Sequence, residues 1–553
     1  MLDDSIGRGE RQARALVMLV LVIESLWIFF HKYLPLDASL WSLQADTIRL
    51  HLAGGAKDGL QIIPIPAANV LVPFVSGLLS FVFGGEVVVR LLLVFVGFFC
   101  RGFAMLSLLR ALHVREALVY FLVPVIVWSG VFFVGSLPYL VAETVAIALV
   151  SFFLRQNSPR SGSYYVLMIG FAVVALCHAL AFFAVVLITV AVANEQRKSV
   201  HLSQGWLSNF NRVVGLVIPG CIVLLLRVLA PAPIFMLTSS GFIGWGAMRH
   251  VLMTLAVTPH IKEAAFPGSN ILSMATSCVA VLLALASLVR AFLLPMEEVS
   301  WQSRSAKGAG AILLVVSLLG FFLIKIGIET SAFIWLGFFF VIASSYSRGP
   351  GVRRGAVDKL LRSLSFITMI VAGILNGLST NRGAEAAFDI REKASQLVQA
   401  ERTSPDKTTS SVDVRFVLDS VFVASEAIGD YPSISYSATA PVYTYARNAV
   451  LNMPSRYQPR AGMLEREDGK MLESPAGYIT FPEPSKYFEP YLRVMAVLPV
   501  GATNSVNFGP FAHGMKDTTS IAFSRADANF RLVIGKLQNI PKPDFAFIPI
   551  PLR

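Results

Sequence analysis

Long apolar runs separated by short polar stretches fill the chain up to about residue 378, and beyond it they stop. Runs of about 18 residues or more suffice to cross the hydrocarbon core of a bilayer. Candidate spans fall at 15–34, 65–84, 87–111, 117–134, 137–154, 164–194, 212–230, 269–294, 309–328, 330–347 and 359–378. Two are irregular. The stretch 65–84 follows Pro64 and contains Pro66, Asn69 and Pro73, which suits a segment lying at the membrane interface as well as one that crosses. The stretch 164–194 would be about 46 Å long as one helix at 1.5 Å per residue. It predicts either a strongly tilted helix or a broken pair pivoting near Cys177 and His178.

Past residue 378 the pattern is that of a water-soluble unit. A polar helical stretch, Ala384 to Gln399, precedes a linker-like run at 403–411. Short β-type runs follow at Val412–Val421, Ser433–Tyr445, Tyr478–Phe481, Arg493–Val500 and Thr519–Phe523, between Pro, Gly and Asn breaks. The domain expectation is therefore a polytopic transmembrane region over 1–378, with outward loops at 35–63 and 231–268, and an outward-facing α+β domain over 379–553.

Composition supports this reading. Hydrophobic residues make up 55% of the chain and charged residues 14%, against roughly 25% charged in an ordinary soluble domain. No small-residue cleavage site follows the first apolar run, Ala15 to Phe30, so it reads as a retained helix. Cys100, Cys177, Cys221 and Cys278 all lie inside apolar runs, offering neither a disulfide framework nor a zinc site.

The net charge of +12 belongs to the membrane part. Lys+Arg and Asp+Glu number 19 and 18 from residue 379 onward, leaving 27 and 16 of the chain's 46 and 34 upstream. A nucleic-acid partner would want a basic face on the soluble domain, so none is expected. Basic residues in short loops mark the cytoplasmic side instead and favour contacts to membrane lipids. If 65–84 stays on one side and 164–194 crosses twice, Arg110/Arg115, Arg155/Arg160, Arg197/Lys198, Arg304/Lys307 and the cluster Arg348, Arg353, Arg354, Lys359 all fall on the side of the N-terminus. The expected setting is a bacterial cytoplasmic membrane, with the N-terminus inside and the C-terminal domain periplasmic.

The stretch Pro35 to His51 carries the most chemistry. Asp37 stands about one turn beyond the first span, and Leu36, Leu40, Trp41, Leu43, Ile48 and Leu50 suit a helix on the membrane surface with Asp46 and Arg49 near its wet side. A carboxylate held at that boundary can act as general base on a hydroxyl while a lipid-borne leaving group stays in the membrane. Equally, Asp37 can cap the helix and Asp46 can simply be solvated. Glu24, Arg101, Glu143 and His178 lie deep in apolar runs, where a charge is costly and needs a polar cavity or a partner. Arg227, Arg290 and Lys325 lie nearer span ends and suit snorkelling to headgroups. In the second outward loop Arg249, His250 and Lys262 offer a grip on a diphosphate or an anchor to headgroups. Walker, GxGxxG, HExxH and GxSxG motifs are absent from the sequence.

The order of one N-terminal span, an outward loop with an early Asp, Pro64-Ile-Pro-Ala-Ala-Asn69, a Phe83-Gly84-Gly85-Glu86 break and Arg90 opening the next span resembles polytopic GT-C-type membrane glycosyltransferases. Ser136-Leu-Pro-Tyr139-Leu-Val-Ala-Glu143 and Leu176-Cys-His178 extend the pattern, which covers about residues 15–194. Trp41 and Pro138 depart from it, as does the lack of an acidic pair in the loop. The resemblance implies a GT-C-like fold of about 10–12 transmembrane or re-entrant helices with a C-terminal α+β domain. It also implies transfer of a sugar from a polyprenyl-phosphate-linked donor to an envelope glycan, lipid or protein acceptor. Asp37 or Asp46 would be the base, and Arg49, His51, Arg101, Glu143, His178, Arg249, His250 and Lys262 would bind substrate. Some members of the class use a divalent metal, but no carboxylate cluster for one stands out, and no cofactor is evident. The alternative is a non-enzymatic subunit of a transport or polysaccharide-assembly machine built on Glu24, Arg101 and Glu143.

Overall fold

The computed structural model describes residues 2–30, 38–54, 60–62, 70–129, 131–132, 137–155, 161–199, 206–229, 269–293, 300–319, 329–347, 356–403, 464–466, 493–501, 503–508, 511–525 and 528–537. The helices are α1 (Leu2–Phe30), α2 (Ala38–Leu52), α3 (Leu71–Phe83), α4 (Gly85–Ala111), α5 (Ala117–Val127), α6 (Leu137–Leu154) and α7 (Ser161–Cys177). They continue with α8 (Ala179–Ser199), α9 (Trp206–Leu229), α10 (Ser269–Leu293), α11 (Trp301–Leu319), α12 (Glu329–Ser345) and α13 (Ala356–Thr403). Strands β1 (Leu60–Ile62), β2 (Leu464–Arg466), β3 (Arg493–Pro499), β4 (Ser505–Phe508), β5 (Phe511–Arg525) and β6 (Ala528–Leu537) complete the described elements. The protein is thus a mostly helical polytopic membrane protein. Among the described residues, Gly9–Phe30, Gly85–Ala111, Leu137–Leu154 and Ala356–Leu378 are long and apolar enough to cross a membrane, and shorter apolar helices pack with them.

The bundle has two ends, and side-chain contacts sort the helix termini between them. At the end where α1 begins, Tyr120 donates to Glu10 (3.3 Å), Arg362 pairs with Glu116 (2.8 Å) and Arg290 with Asp358 (3.3 Å). Tyr346 also reaches Asp358, Ser303 donates to the Ser344 carbonyl, and Arg304 pairs with Glu195 (3.4 Å). These contacts gather the starts of α1, α5, α11 and α13 and the ends of α8, α10 and α12 in one basic layer. At the far end, Arg90 donates to the Phe29 carbonyl (3.0 Å), Gly85 N–H donates to Asp46 (3.2 Å) and Val70 N–H donates to the Leu176 carbonyl (3.0 Å).

This sorting settles both irregular spans. Helix α3 is held to the far end at its start through Val70 and at its close through Gly84 and α4. Its 13 residues make about 20 Å, short of the hydrocarbon core. Both of its ends therefore lie at the same end of the bundle. The stretch 164–194 is a pair jointed at His178: His178 N–H donates to the Val174 carbonyl, closing α7, and its own carbonyl accepts from Phe182 N–H, opening α8. The Phe171 and Phe182 rings lie 6.4 Å apart, whereas eleven residues of continuous helix would separate them by about 16 Å.

Three other spans differ from the apolar pattern. Helix α5 stops at Val127, because Trp128 leaves the helical region (ψ 23°), where a run to 134 was expected. Helix α11 starts at Trp301, ahead of the expected 309, taking about two further, largely polar turns into the helix. Helix α13 continues without a break from the span through Ala384–Gln399 to Thr403, so the polar helix is the far-end extension of the last membrane helix.

The described strands form an antiparallel sheet in the order β3-β6-β5-β4, with β3 and β6 registered Arg493↔Lys536 to Pro499↔Phe530. The expected runs Arg493–Val500 and Thr519–Phe523 fall in β3 and β5; the runs at 412–421, 433–445 and 478–481 lie outside the described residues. Strand β1, from the first outward loop, pairs antiparallel with β2 of the tail, Leu60↔Arg466 to Ile62↔Leu464. One segment of that loop and one of the tail therefore lie side by side.

Helix α2 is seated on the α3–α4 turn through small residues. A methyl group on Gly77 would meet the Ile48 side chain, and one on Gly85 would meet the Ser42 carbonyl and the Asp46 carboxyl. Gly85→Ala is expected to lower the thermal unfolding midpoint in detergent, with an overpacking cost of about 1–3 kcal/mol. Gly162→Ala, at a helical position with nothing nearby, should leave the midpoint unchanged or raise it.

Candidate functional site

The deepest polar group is an ion pair between α4 and α6. Residues Leu92–Cys100 of α4 are π-helical. Thr144 Oγ1 donates to the Val96 carbonyl (3.2 Å), and Gly97 admits Leu140 to the helix surface. This close approach sets Glu143 opposite Arg101. Arg101 Nη2 lies 2.9 Å from Glu143 Oε2 and donates to Oε1 at 3.0 Å, with both residues buried. Nη1 donates to the Val127 carbonyl (3.1 Å), and both terminal nitrogens lie 3.3 Å from Ser129 Oγ.

Val127 is the last residue of α5, so the guanidinium serves a carbonyl that a helix terminus leaves without an intrahelical donor, at the negative end of the helix dipole. Phe98, Trp128 and Phe132 meet edge-on with centroids 4.8–5.2 Å apart and wall the segment off. The arrangement pairs the two charges inside an apolar body, with Arg101 Nε making no hydrogen bond among the described residues, and links three helices. Glu24, the other deep acid, packs its Oε1 against Gly373 of α13 and lies beside Trp128.

Beside Glu143 runs a narrow crevice between α6, α8 and α12, with a cavity volume of about 10 Å³, lined by Tyr139, Ala181, Val185, Phe333 and Phe340 among others. Tyr139 stands at its far end, where its ring meets His178 edge-on (5.2 Å) and Phe333 (5.8 Å). The walls are apolar apart from Glu143 and the tyrosine hydroxyl.

The second polar group is on α2. Asp46 caps the start of α4 by accepting Gly85 N–H (3.2 Å), next to Gly84 with its positive φ of 77°. It also pairs with Arg49 one turn on (3.1 Å), the side chains being 25% and 32% exposed. Ala45 and Ile48 are buried towards α3, where Ser80 donates to the Ala45 carbonyl (3.2 Å), so the apolar side of α2 rests on protein.

Of the residues singled out from the sequence, Arg101 and Glu143 meet each other, Asp46 meets Arg49, and His178 forms the α7–α8 joint. Arg290 pairs with Asp358 of α13, where an extension to headgroups was expected. Asp37, Arg227's side chain, Arg249, His250, Lys262, Lys325 and the side chain of His51 lie outside the described residues. Sequence reasoning passed over Ser129, the Val127 carbonyl and the glycine seat at Gly85. The Trp128-Ser-Gly130 interruption of an apolar run was a signal for the first two. Among the described residues, no three His, Cys, Asp or Glu side chains gather as a metal site.

No family model and no curated protein matches the chain. Two solved structures do, both of ArnT from Cupriavidus metallidurans. The form bound to undecaprenyl phosphate is 13% identical with a TM-score of 0.33, and the apo form is 14% identical with a TM-score of 0.36. Each match covers 94% of this chain and 97% of that one. At these TM-scores the likeness assigns no role to any residue.

Two outcomes follow for stability. Glu143→Ala strands a buried guanidinium and should cost about 3–5 kcal/mol, whereas Arg101→Met combined with Glu143→Leu should recover most of that loss. Thermal midpoints by size-exclusion chromatography distinguish the two. Asp46→Asn keeps an oxygen for Gly85 N–H and should hold the wild-type midpoint, while Asp46→Ala should cost about 0.5–2 kcal/mol.

Proposed function

We propose that the protein is a membrane-embedded glycosyltransferase that moves a sugar from a polyprenyl-phosphate-linked donor to an envelope acceptor at the far, periplasmic face. The observation that carries this reading is the continuity between a helix bearing an exposed acid–base pair and a crevice with apolar walls. Helix α2 bears a part-exposed Asp46–Arg49 pair and rests on α3. Helix α3 starts from the Leu176 carbonyl, two residues from His178, and the His178 ring meets Tyr139 at the far end of the apolar crevice. A polar head at α2, with its isoprenoid tail in the adjoining bilayer, fits that layout. The resemblance of residues 15–194 to GT-C-type membrane glycosyltransferases supports the same chemistry. The basic layer at the N-terminal end supports a cytoplasmic N-terminus.

Asp37, which directly precedes α2, takes the base role. Both interactions of the Asp46 carboxylate, with Gly85 N–H and with Arg49, tie it to structure, so Asp46 serves to position α2. Arg49, His51, Arg249, His250 and Lys262 are proposed to hold the departing diphosphate or phosphate by electrostatic stabilisation. The Arg101–Glu143 pair, sealed by aromatic rings, stiffens the wall of the crevice; a transport role would need that pair open to water.

The test is transfer from radiolabelled polyprenyl-phosphate sugars by full-length protein in nanodiscs supplied with envelope acceptors. Asp37→Asn should lower the rate by about 10²–10⁴ with the thermal midpoint unchanged, the usual worth of a general base. Asp46→Asn should lower it less. Full transfer by the Asp37→Asn variant would remove the proposed base.

A further inference from the structure

Three arginines from three helices converge at one corner of the basic end. Leu21 of α1 packs on Gly102 of α4, where an added methyl would touch it. From that contact Arg14 lies seven residues back along α1 and Arg110 eight residues on along α4. With the helices antiparallel, both side chains sit about 10–12 Å nearer the basic end, side by side. Helix α6 runs parallel to α4 and is registered to it by the Ser107–Ser151 hydroxyl contact (2.9 Å). One turn beyond those serines come Arg110 on α4 and Arg155 on α6. Arg155 Nη2 donates back to the Ser107 carbonyl (2.9 Å) and hydroxyl (2.8 Å), which fixes the guanidinium over the corner.

Arg110 and Arg155 are exposed and Arg14 is half-buried. Their close approach is also felt electrostatically: desolvation, then the Arg110 and Arg14 charges, hold the Arg155 guanidinium below the usual arginine range. Glu10, one turn from Arg14, is bonded by Tyr120 and supplies one negative charge against three positive ones. Like charges brought together at a surface favour an anion between them.

Below this corner the surface is apolar. Phe103 lies two turns before Arg110 on the same face of α4, and Phe152 lies one turn before Arg155 on α6; they are 50% and 37% exposed. An anionic head at the arginines would therefore continue into hydrocarbon along two phenyl rings. We propose that this corner binds the phosphate of an anionic phospholipid of the adjoining leaflet, its acyl chain lying along Phe103 and Phe152. Arginine suits the task because its planar fork makes paired charge-assisted bonds to phosphate oxygens. The site is at the opposite end from the proposed transfer chemistry and does not depend on it.

Native mass spectrometry of the full-length protein, titrated with dioleoyl phosphatidic acid, tests this. Wild type should retain one phosphatidic acid in preference to phosphatidylcholine, and inorganic phosphate in large excess should not displace it. Arg110→Gln and Arg155→Gln should each weaken retention about tenfold, the worth of a charge-assisted contact. Lys359→Gln, which removes a charge elsewhere at the same end, should not. Equal retention of phosphatidylcholine by wild type would overturn the site without recourse to any variant. Retention unchanged in the arginine double variant would overturn it too, and ready displacement by inorganic phosphate would overturn the lipid as its ligand.

Discussion

Arg101 sits where the membrane supplies no water, so every contact of its charge has to come from the protein. The protein meets that demand with Glu143 from one helix, and with the Val127 carbonyl and the Ser129 hydroxyl from the end of another. The same demand constrains its neighbours. Helix α5 can stop part-way because Arg101 takes its last carbonyl, and α6 has to lie against α4 for Glu143 to arrive. The π-helical turn and Gly97 bring that closeness about. The crevice along Glu143 and Tyr139 is a consequence, since one of its walls is the face of α6 that this pair holds in place.

Towards the far end, small residues replace charge as the organising device. Gly77, Ser80 and Gly85 give α2 a seat that larger residues would fill, and Asp46 uses the free N–H groups at the start of α4 to fasten it. The β1–β2 pairing then ties the loop that follows α2 to the tail. At the basic end, ion pairs do the corresponding work: Glu116–Arg362, Arg290–Asp358 and Glu195–Arg304 each join elements distant in the chain. These pairs lie at helix ends, near headgroups and water, where a charge costs far less than at Arg101. A polar α2 face at one end and an arginine corner at the other leave an apolar body between two chemically distinct surfaces.

Much of this could be read from residue order. The apolar runs gave the positions of most helices, and of the basic residues expected on the side of the N-terminus, Arg110, Arg155 and Arg304 lie at the end where α1 begins. Both are properties of local composition: transfer of apolar side chains and retention of Lys and Arg depend little on which helices become neighbours. The depth of Glu24, Arg101 and Glu143 marked them as needing partners, although the choice among them was open. The end of α5 at Val127 was less legible, since an apolar run does not show where a carbonyl will find a donor.

Hydropathy and charge, which act residue by residue, determined that this is a polytopic membrane protein with a basic end and a helix after its first span. Tertiary structure decided which charge meets which. It paired Arg101 with Glu143 and left Glu24 to α13 and Trp128, drew Arg290 to Asp358, and turned Asp46 from a solvated acid into the cap of α4. Those outcomes depend on ångström-scale approach between helices, set by a π-helical turn and a few glycines, and no pattern of polarity along the chain encodes such distances.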